Sequence, residues 1–124
     1  MTRNQRMYCR DILDRIRRIE RYTTDGRAAF LASELHQDGV IRSFEVIGEV
    51  VKRLDSTLQA QHPDVAWSDF AGFRDVLIHQ YDRVRLDLVW RFAQEDLPAL
   101  KRAVAALLRD LDDPAGSSNT MRDG

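Results

Sequence analysis

The feature that most constrains the fold is the spacing of large apolar residues, which recurs in steps of three and four along most of the chain. Between residues 34 and 59, the apolar positions with this spacing are Val40, Phe44, Ile47, Val51, Leu54 and Leu58. An α-helix completes a turn in about 3.6 residues, so these side chains line one of its faces. The spacing predicts one long helix over residues 34–59, with this seam toward a core and Gly48 beside it, where another helix can approach closely.

The same spacing predicts helices on both sides of this segment and no convincing strand. We expect a first helix that ends near Tyr22, a short helix at about residues 28–32, a helix that begins near Trp67, and two more that are divided or kinked at Pro98. Short loops join these segments, and this alternation favours antiparallel neighbours. The predicted fold is all-α, an up-and-down bundle of four to five helices.

Composition predicts where the folded domain ends. Residues 1–111 carry the apolar spacing, and we assign them to one helical domain. Residues 112–124 have little apolar content, so we expect a flexible C-terminal tail. The single Cys9 cannot form an internal disulfide, and no apolar run approaches the length that spans a bilayer. No targeting segment is visible either, and we expect a cytoplasmic protein.

A short motif carries most of the functional signal. Arg74, His79 and Tyr81 lie in the order Arg-x4-His-x-Tyr. A guanidinium is a forked donor suited to phosphate oxygens, and a neutral imidazole can move a proton near pH 7, so together they can cleave a phosphodiester without a metal. RNA is the first substrate to consider. The structural alternative places Arg74 on a solvated helix face, a half-buried and hydrogen-bonded His79, and Tyr81 in the core.

The motif belongs to a longer series of sequence blocks. These blocks are Asp38–Glu49, Pro63–Asp75, His79–Tyr81, Val89–Trp90 and Leu97–Pro98. With them the chain resembles the HepT-type toxins of the HEPN superfamily, from about Arg6 to Leu111. The chain departs from that family at Asp75, where the family usually has Asn. An acid at this position can pair with Arg74 and compete with phosphate.

The resemblance implies a ribonuclease toxin that acts as a homodimer, with paired motifs lining a common cleft. It also implies that a nucleotidyltransferase antitoxin inhibits this toxin. Arg74 and His79 would be catalytic, Asp75 would orient one of them, and Tyr81 would receive adenylyl groups from the antitoxin. Attack by the ribose 2′-hydroxyl would leave a 2′,3′-cyclic phosphate, so DNA would be inert, and neither a metal nor a cofactor is needed. Glu49 is left outside the catalytic set, because a salt bridge to a neighbouring helix explains it equally well.

Two other functions remain open from the sequence. One is a noncatalytic HEPN-like subunit that only docks against a nucleotidyltransferase. The other is a nucleotide-binding sensor that uses Arg74 and Tyr81 to hold a phosphate and a base. Growth of cells that express this chain alone separates the first from a toxin, because a docking subunit would not slow growth.

The spacing of the motif sets a geometric condition on any shared site. On one continuous helix, Arg74 and Tyr81 are about 20° apart and share a face, whereas His79 is turned about 140° away from Arg74. One straight helix therefore does not easily aim both catalytic side chains at one phosphate. Either the helix bends or unwinds between them, or a second copy of the chain completes the site.

Charge bears on which partners the chain can bind. The net charge of −1 argues against indiscriminate nucleic-acid binding. The first predicted helix is nevertheless rich in arginine, and five of its arginines fall on one face, opposite its apolar stripe. This basic ridge consists of Arg3, Arg6, Arg10, Arg17 and Arg21. It is either a solvated outer face or a contact surface for the RNA backbone or an acidic partner.

Overall fold

The computed structural model describes residues 2–112, and this range is helical with no strand in it. The helices are α1 (Thr2–Tyr22), α2 (Arg27–Leu31), α3 (Glu34–Arg53), α4 (Ser56–Ala60), α5 (Trp67–His79), α6 (Leu86–Glu95) and α7 (Leu97–Asp112), with a 3-10 helix over Tyr81–Arg83. The side chains of Thr2 and Tyr81 are outside the described part of the structure. The predicted all-α fold is confirmed, and no helix in residues 2–112 is long and apolar enough to cross a membrane.

The core lies around α3, the central helix of the bundle. α3 packs against α1 on one side and α5 on the other, and α7 packs against α1. The predicted apolar faces meet there, and their fully buried members include Ile12, Ile16, Ile19, Val40, Ile47, Leu100 and Val104. Burial of each such side chain contributes about 1.5–3 kcal/mol. Burial in this core also raises the pKa of Cys9 to about 11, so its thiol stays protonated near neutral pH.

The prediction of one helix over residues 34–59 is wrong at its C-terminal end. α3 stops before Leu54, whose backbone is extended (φ −70°, ψ 134°), and Asp55 then caps the separate helix α4. The backbone N–H of Asp55 donates to Gln5 Oε1 of α1 over 2.8 Å. This tertiary hydrogen bond replaces the one that a continuous helix would supply. Leu58 of the predicted seam therefore packs against the core from α4.

The end of α7 uses part of the basic ridge. α7 continues to Asp112, the position at which the sequence predicts the tail to start. The Asp112 carboxylate lies 3.7 Å from Arg6 Nε and 3.3 Å from Arg10 Nη2. Two arginines of the ridge thus join α1 to the C-terminal end of α7, where a cation also suits the helix dipole. The rest of the predicted tail, residues 113–124, lies outside the described residues.

Candidate active site

The candidate site lies where α5 crosses α3, and Gly48 sets the distance between these helices. A Cβ atom placed on Gly48 would collide with the Cβ of Arg74 and would lie 2.8 Å from the backbone oxygen of Phe70. Only a residue without a side chain permits this approach. The close helix contact predicted at Gly48 is confirmed, and it carries the motif arginine.

Arg74 is held by one carboxylate from each of the two helices. Its Nη2 lies 3.0 Å from Glu49 Oε2 in α3, and its Nη1 lies 3.1 Å from Asp75 Oδ1 in α5. The side chain is 24% exposed, and its Nε is buried without a hydrogen-bond partner among the described residues. A planar guanidinium held at both ends keeps one orientation. Arg74 is therefore an oriented, partly buried cation, unlike the solvated arginine of the structural alternative.

Each of these two carboxylates also contacts a second cation from α3. Lys52 Nζ lies 2.9 Å from Asp75 Oδ1, and Arg53 Nη2 lies 3.1 Å from Glu49 Oε1. Hydrogen bonds from Lys52, and then from Arg74, lower the pKa of Asp75 below its ordinary value. Asp75 therefore stays ionised at neutral pH. Across the surface of the site, the carboxylates of Glu49 and Asp75 alternate with the three cations.

The sequence interpretation missed Lys52 and left Glu49 out of the site. Both follow Gly48 within one turn of α3, on a surface that reaches α5. Their positions relative to Gly48 are the signal that points to them, because side chains within about one turn of a close helix contact can reach across it. The acid at position 75 does pair with Arg74, as the departure from the family pattern predicts.

His79 is the last residue of α5, and its side chain is exposed rather than half-buried. Arg74 and His79 both belong to this one uninterrupted helix, so the rotation of about 140° between them remains. The helix does not unwind between the two residues. The two side chains therefore leave the helix axis of one chain in different directions.

The expectation that Arg74 and Tyr81 share a face of one continuous helix is wrong. α5 ends at His79 because the backbone of Gln80 leaves the helical region (φ −126°, ψ 34°). Tyr81 then begins the 3-10 helix, whose turn is closed by the Arg83 N–H donating to the Gln80 oxygen over 2.8 Å. The side chain of Tyr81 lies outside the described residues, so its regulatory role stays a prediction.

α5 is apolar on two sides. Phe70 and Leu77 face the core and are buried, whereas Val76 and Ile78 on other sides of the helix are 46% and 40% exposed. No atom lies within 4 Å of a Cβ placed on Gly72, so this position also faces open space. A surface helix ordinarily exposes polar side chains. The exposed apolar groups of α5 therefore flank the end of the helix that bears the motif histidine.

Comparison with known proteins shows similarity to ribonucleases. Residues 12–107 match the HepT-like family, described as ribonuclease HepT-like. One similar protein, from Methanocaldococcus jannaschii, is named as a gamma-glutamylcyclotransferase and provisional RNase. It is 36% identical over 113 residues, which cover 90% of this chain and 51% of that protein. The probable ribonuclease HepT of Thermococcus cleftensis is 36% identical over 102 residues, 82% of this chain and 93% of that protein.

A further Methanocaldococcus jannaschii protein, named as a provisional RNase, is 32% identical over 112 residues, which are 90% of this chain and 97% of that protein. The chain thus spans about half the length of the first relative and nearly all of the other two. No solved structure matches the chain. The range matched by the family contains every residue of the α3–α5 site and the motif that follows it.

Proposed function

Because this chain belongs to the HepT-like ribonuclease family, we propose that it is an endoribonuclease that cleaves RNA with Arg74 and His79 and needs no metal ion. The observation that carries the proposal is the oriented guanidinium of Arg74 on the same helix as an exposed imidazole. Relatives that are named as ribonucleases support RNA as the substrate. The phosphodiester chemistry then follows from these two side chains.

In the proposed reaction, the ribose 2′-oxygen forms a bond to phosphorus and the bond from phosphorus to the 5′-oxygen breaks. His79 takes the proton of the 2′-hydroxyl, water gives a proton to the leaving 5′-oxygen, and the hydroxide so formed takes the proton back from His79. Arg74 stabilises the additional negative charge on the pentacoordinate phosphorus with its forked donors. The products are a 2′,3′-cyclic phosphate and a 5′-hydroxyl, and DNA is inert because it lacks the attacking group.

The test compares wild type with His79→Ala on total cellular RNA in the presence of a metal chelator. We expect the variant to lose roughly 10²–10⁴-fold in cleavage rate, the usual contribution of a general base. Its melting temperature should not change, because the His79 side chain is exposed. His62→Ala, in the loop before α5, serves as the histidine control and should cleave normally. Full cleavage by His79→Ala would remove this mechanism.

We further propose that the active form is a homodimer in which Arg74 of one chain works with His79 of the other. The support is the rotation of about 140° between these residues on one unbroken helix, together with the exposed Val76 and Ile78 beside the motif. A two-fold axis near α5 would cover these apolar groups and bring the two motifs to one cleft. RNA would bind across both chains.

Mixing two inactive variants tests the shared cleft. In a mixed dimer of Arg74→Ala and His79→Ala chains, one of the two shared sites keeps both an arginine and a histidine. Random mixing makes half of the dimers mixed, so about one quarter of wild-type activity should return. No recovery after the subunits have exchanged, or a fully active monomer in light scattering, would contradict the shared site.

We also propose that a nucleotidyltransferase antitoxin silences the enzyme by transferring AMP to Tyr81. Tyr81 follows the motif histidine by two residues and opens the 3-10 helix after α5, which supports a position at the cleft. AMP on this residue would add bulk and a negative phosphodiester at the proposed cleft. Both effects oppose binding of the RNA backbone.

Coexpression with a nucleotidyltransferase, taken from the neighbouring reading frame where one is encoded there, tests this control. Wild-type protein should gain about 329 Da per AMP and lose its toxicity. Tyr81→Phe should cleave RNA, stay toxic when the partner is present, and show no such mass increment. Tyr22→Phe, on α1, is the matched tyrosine control. If the partner still silences Tyr81→Phe and the mass increment lies on another residue, Tyr81 has no regulatory role.

A noncatalytic docking subunit is the second candidate function. The observation in its favour is that both Nη atoms of Arg74 are already occupied by Glu49 and Asp75. If this arrangement is permanent, two carboxylates already neutralise the arginine and weaken its attraction for an RNA phosphate. Expression of the chain alone decides the matter, because a docking subunit leaves growth and RNA unchanged whereas the ribonuclease does not.

A further inference from the structure

We infer that Lys52 and Arg74 form a binding pair for one RNA phosphate, and that the Asp75 carboxylate occupies its anion position in the free protein. The inference rests on the proposed ribonuclease function and adds a substrate-binding residue on α3. It also gives Asp75 a definite role, that of an internal competitor which the RNA replaces.

Two cations meet on one carboxylate oxygen atom of Asp75. Asp75 Oδ1 lies 2.9 Å from Lys52 Nζ and 3.1 Å from Arg74 Nη1. The cations come from different helices, and both donate to the same acceptor. A nonbridging phosphate oxygen is also an anionic acceptor and prefers the same distances. The position of Oδ1 is therefore one that a phosphate oxygen can take.

The occupant of this position can be exchanged from solvent. The side chains of Lys52 and Asp75 are 40% and 47% exposed. Ion pairs with this exposure contribute little to stability, because water and salt screen them. A rotation of the Asp75 side chain would vacate the position without any movement of the helices. The two cations would then repel each other until another anion arrives, which favours phosphate binding.

The placement of Lys52 follows from the close contact of α3 and α5. Lys52 lies four residues after Gly48, so it is one turn further along the face of α3 that contacts α5. Because Gly48 brings the helices together, the lysine reaches the carboxylate that follows the motif arginine. Lys52 is thus positioned by the same contact that positions Arg74.

The chain provides a matched control for this lysine. Its other lysine, Lys101, is 44% exposed and pairs with Glu20 over 2.7 Å between α7 and α1. Both lysines bridge two helices through one carboxylate and have nearly equal exposure. Only Lys52 shares its carboxylate with Arg74. If both lysines only bridge helices, replacing either one should have the same effect on RNA binding and stability. If Lys52 also contacts phosphate, only its replacement should weaken RNA binding.

The test measures binding of a labelled single-stranded RNA to chains that also carry His79→Ala, so that the RNA stays intact. Lys52→Ala should weaken binding about tenfold, as expected for one charge-assisted hydrogen bond. The slope of log affinity against log salt concentration should fall by about 0.7, the value for one lost phosphate contact on a single strand. Lys52→Arg should retain binding, and Lys101→Ala should leave affinity, slope and melting temperature unchanged.

The Asp75→Asn variant shows whether Lys52 contacts the RNA phosphate directly or acts only through Asp75. This variant removes the internal competitor, so RNA should bind more tightly than it does to the parent chain. If Lys52 touches phosphate, Lys52→Ala still weakens binding about tenfold in the Asp75→Asn background. If Lys52 only draws Asp75 away from Arg74, the lysine has no effect in that background, and this result would overturn the inference.

Cleavage assays on chains with His79 intact distinguish this inference from the proposed function. Lys52→Ala should raise KM about tenfold, because the lysine holds the phosphate that Arg74 also contacts, and its loss of kcat should stay far below that of Arg74→Ala. If wild type cleaves RNA normally and Lys52→Ala has an unchanged KM, the phosphate pair is wrong. The proposed ribonuclease function is then unaffected. Absence of cleavage by wild type, with RNA binding that still depends on Lys52, overturns the ribonuclease and keeps the pair.

Discussion

α1 and α5 both pack against α3, but they expose different chemistry on the side that faces away from it. α1 turns Ile12, Ile16 and Ile19 inward, all at 0% exposure, and shows mainly charged groups to solvent. α5 also has a buried face, yet it exposes Val76 and Ile78 at 46% and 40%. α1 is thus complete within one chain, whereas α5 presents apolar groups that one chain leaves uncovered.

The ion pairs of α1, within the helix or to α7, join side chains that are 34–59% exposed, whereas the side chain of Arg74 in α5 is only 24% exposed. On α1, Arg18 pairs with Asp14 one turn earlier in the same helix, over 3.1 Å. On α5, Arg74 reaches across to Glu49 of α3 over 3.0 Å. The first is an ordinary surface pair with little effect on stability, and the second fixes the direction of the motif arginine. We expect substitutions on α1 to change stability and substitutions on α5 to change activity or assembly.

The largest stability effect should come from the buried face of α1. Ile16→Ala removes a side chain with 0% exposure and should lower the free energy of unfolding by about 2–5 kcal/mol. Chemical denaturation measures this change, with the exposed neighbour Arg17→Ala as a control expected within about 0.5 kcal/mol. Activity per folded molecule should stay normal. An Ile16→Ala protein that is stable but inactive would break the contrast between the two helices.

Arg74 should show the opposite behaviour. Arg74→Ala should reduce the rate of RNA cleavage by about 10²–10³-fold, as expected when a donor to developing charge is lost. Arg74→Lys should recover little, because a point charge cannot replace the fork that holds two carboxylates. The melting temperature should change little, since Glu49 and Asp75 keep Arg53 and Lys52 as partners. A marked loss of stability with normal cleavage would show that Arg74 stabilises the fold and takes no part in cleavage.

Gly48→Ala changes the close contact between α3 and α5. The added Cβ would collide with Arg74, so stability should fall by about 1–3 kcal/mol, and a shift of about 1 Å in the arginine should reduce cleavage about 100-fold. Gly72→Ala is the matched control, because its Cβ meets nothing within 4 Å. It should raise stability by about 0.5–1 kcal/mol. Equal effects at the two glycines would show that helix propensity, rather than the close contact, matters at position 48.

The smallest effect on the single chain is expected at the exposed face of α5. Val76→Ser should change the free energy of unfolding of the monomer by less than about 0.5 kcal/mol. It should nevertheless raise the dissociation constant of the dimer, which analytical ultracentrifugation over a range of concentrations measures. Met7→Ser, at a 52% exposed position on α1, should leave self-association unchanged. If Met7→Ser weakens the dimer and Val76→Ser does not, the interface lies on α1.

Local patterns in the sequence determined the class of fold and the faces of the helices. The three-and-four spacing identified the buried residues of α1, α3 and α7, because burial of one helix face needs only a repeat that matches the helical period. The short motif and its neighbouring blocks identified the ribonuclease family, and Gly48 indicated a close helix contact. Each of these signals lies within one segment of the chain.

Tertiary structure decided what depends on residues far apart in sequence. The break after α3 is stabilised by Gln5, which lies 50 residues before Asp55, so the apolar spacing alone could not predict it. The meeting of Lys52 with Asp75 joins positions 23 residues apart and exists because α3 and α5 touch at Gly48. Helical periodicity orders side chains around one axis, but only packing between helices decides which charges come within hydrogen-bonding distance.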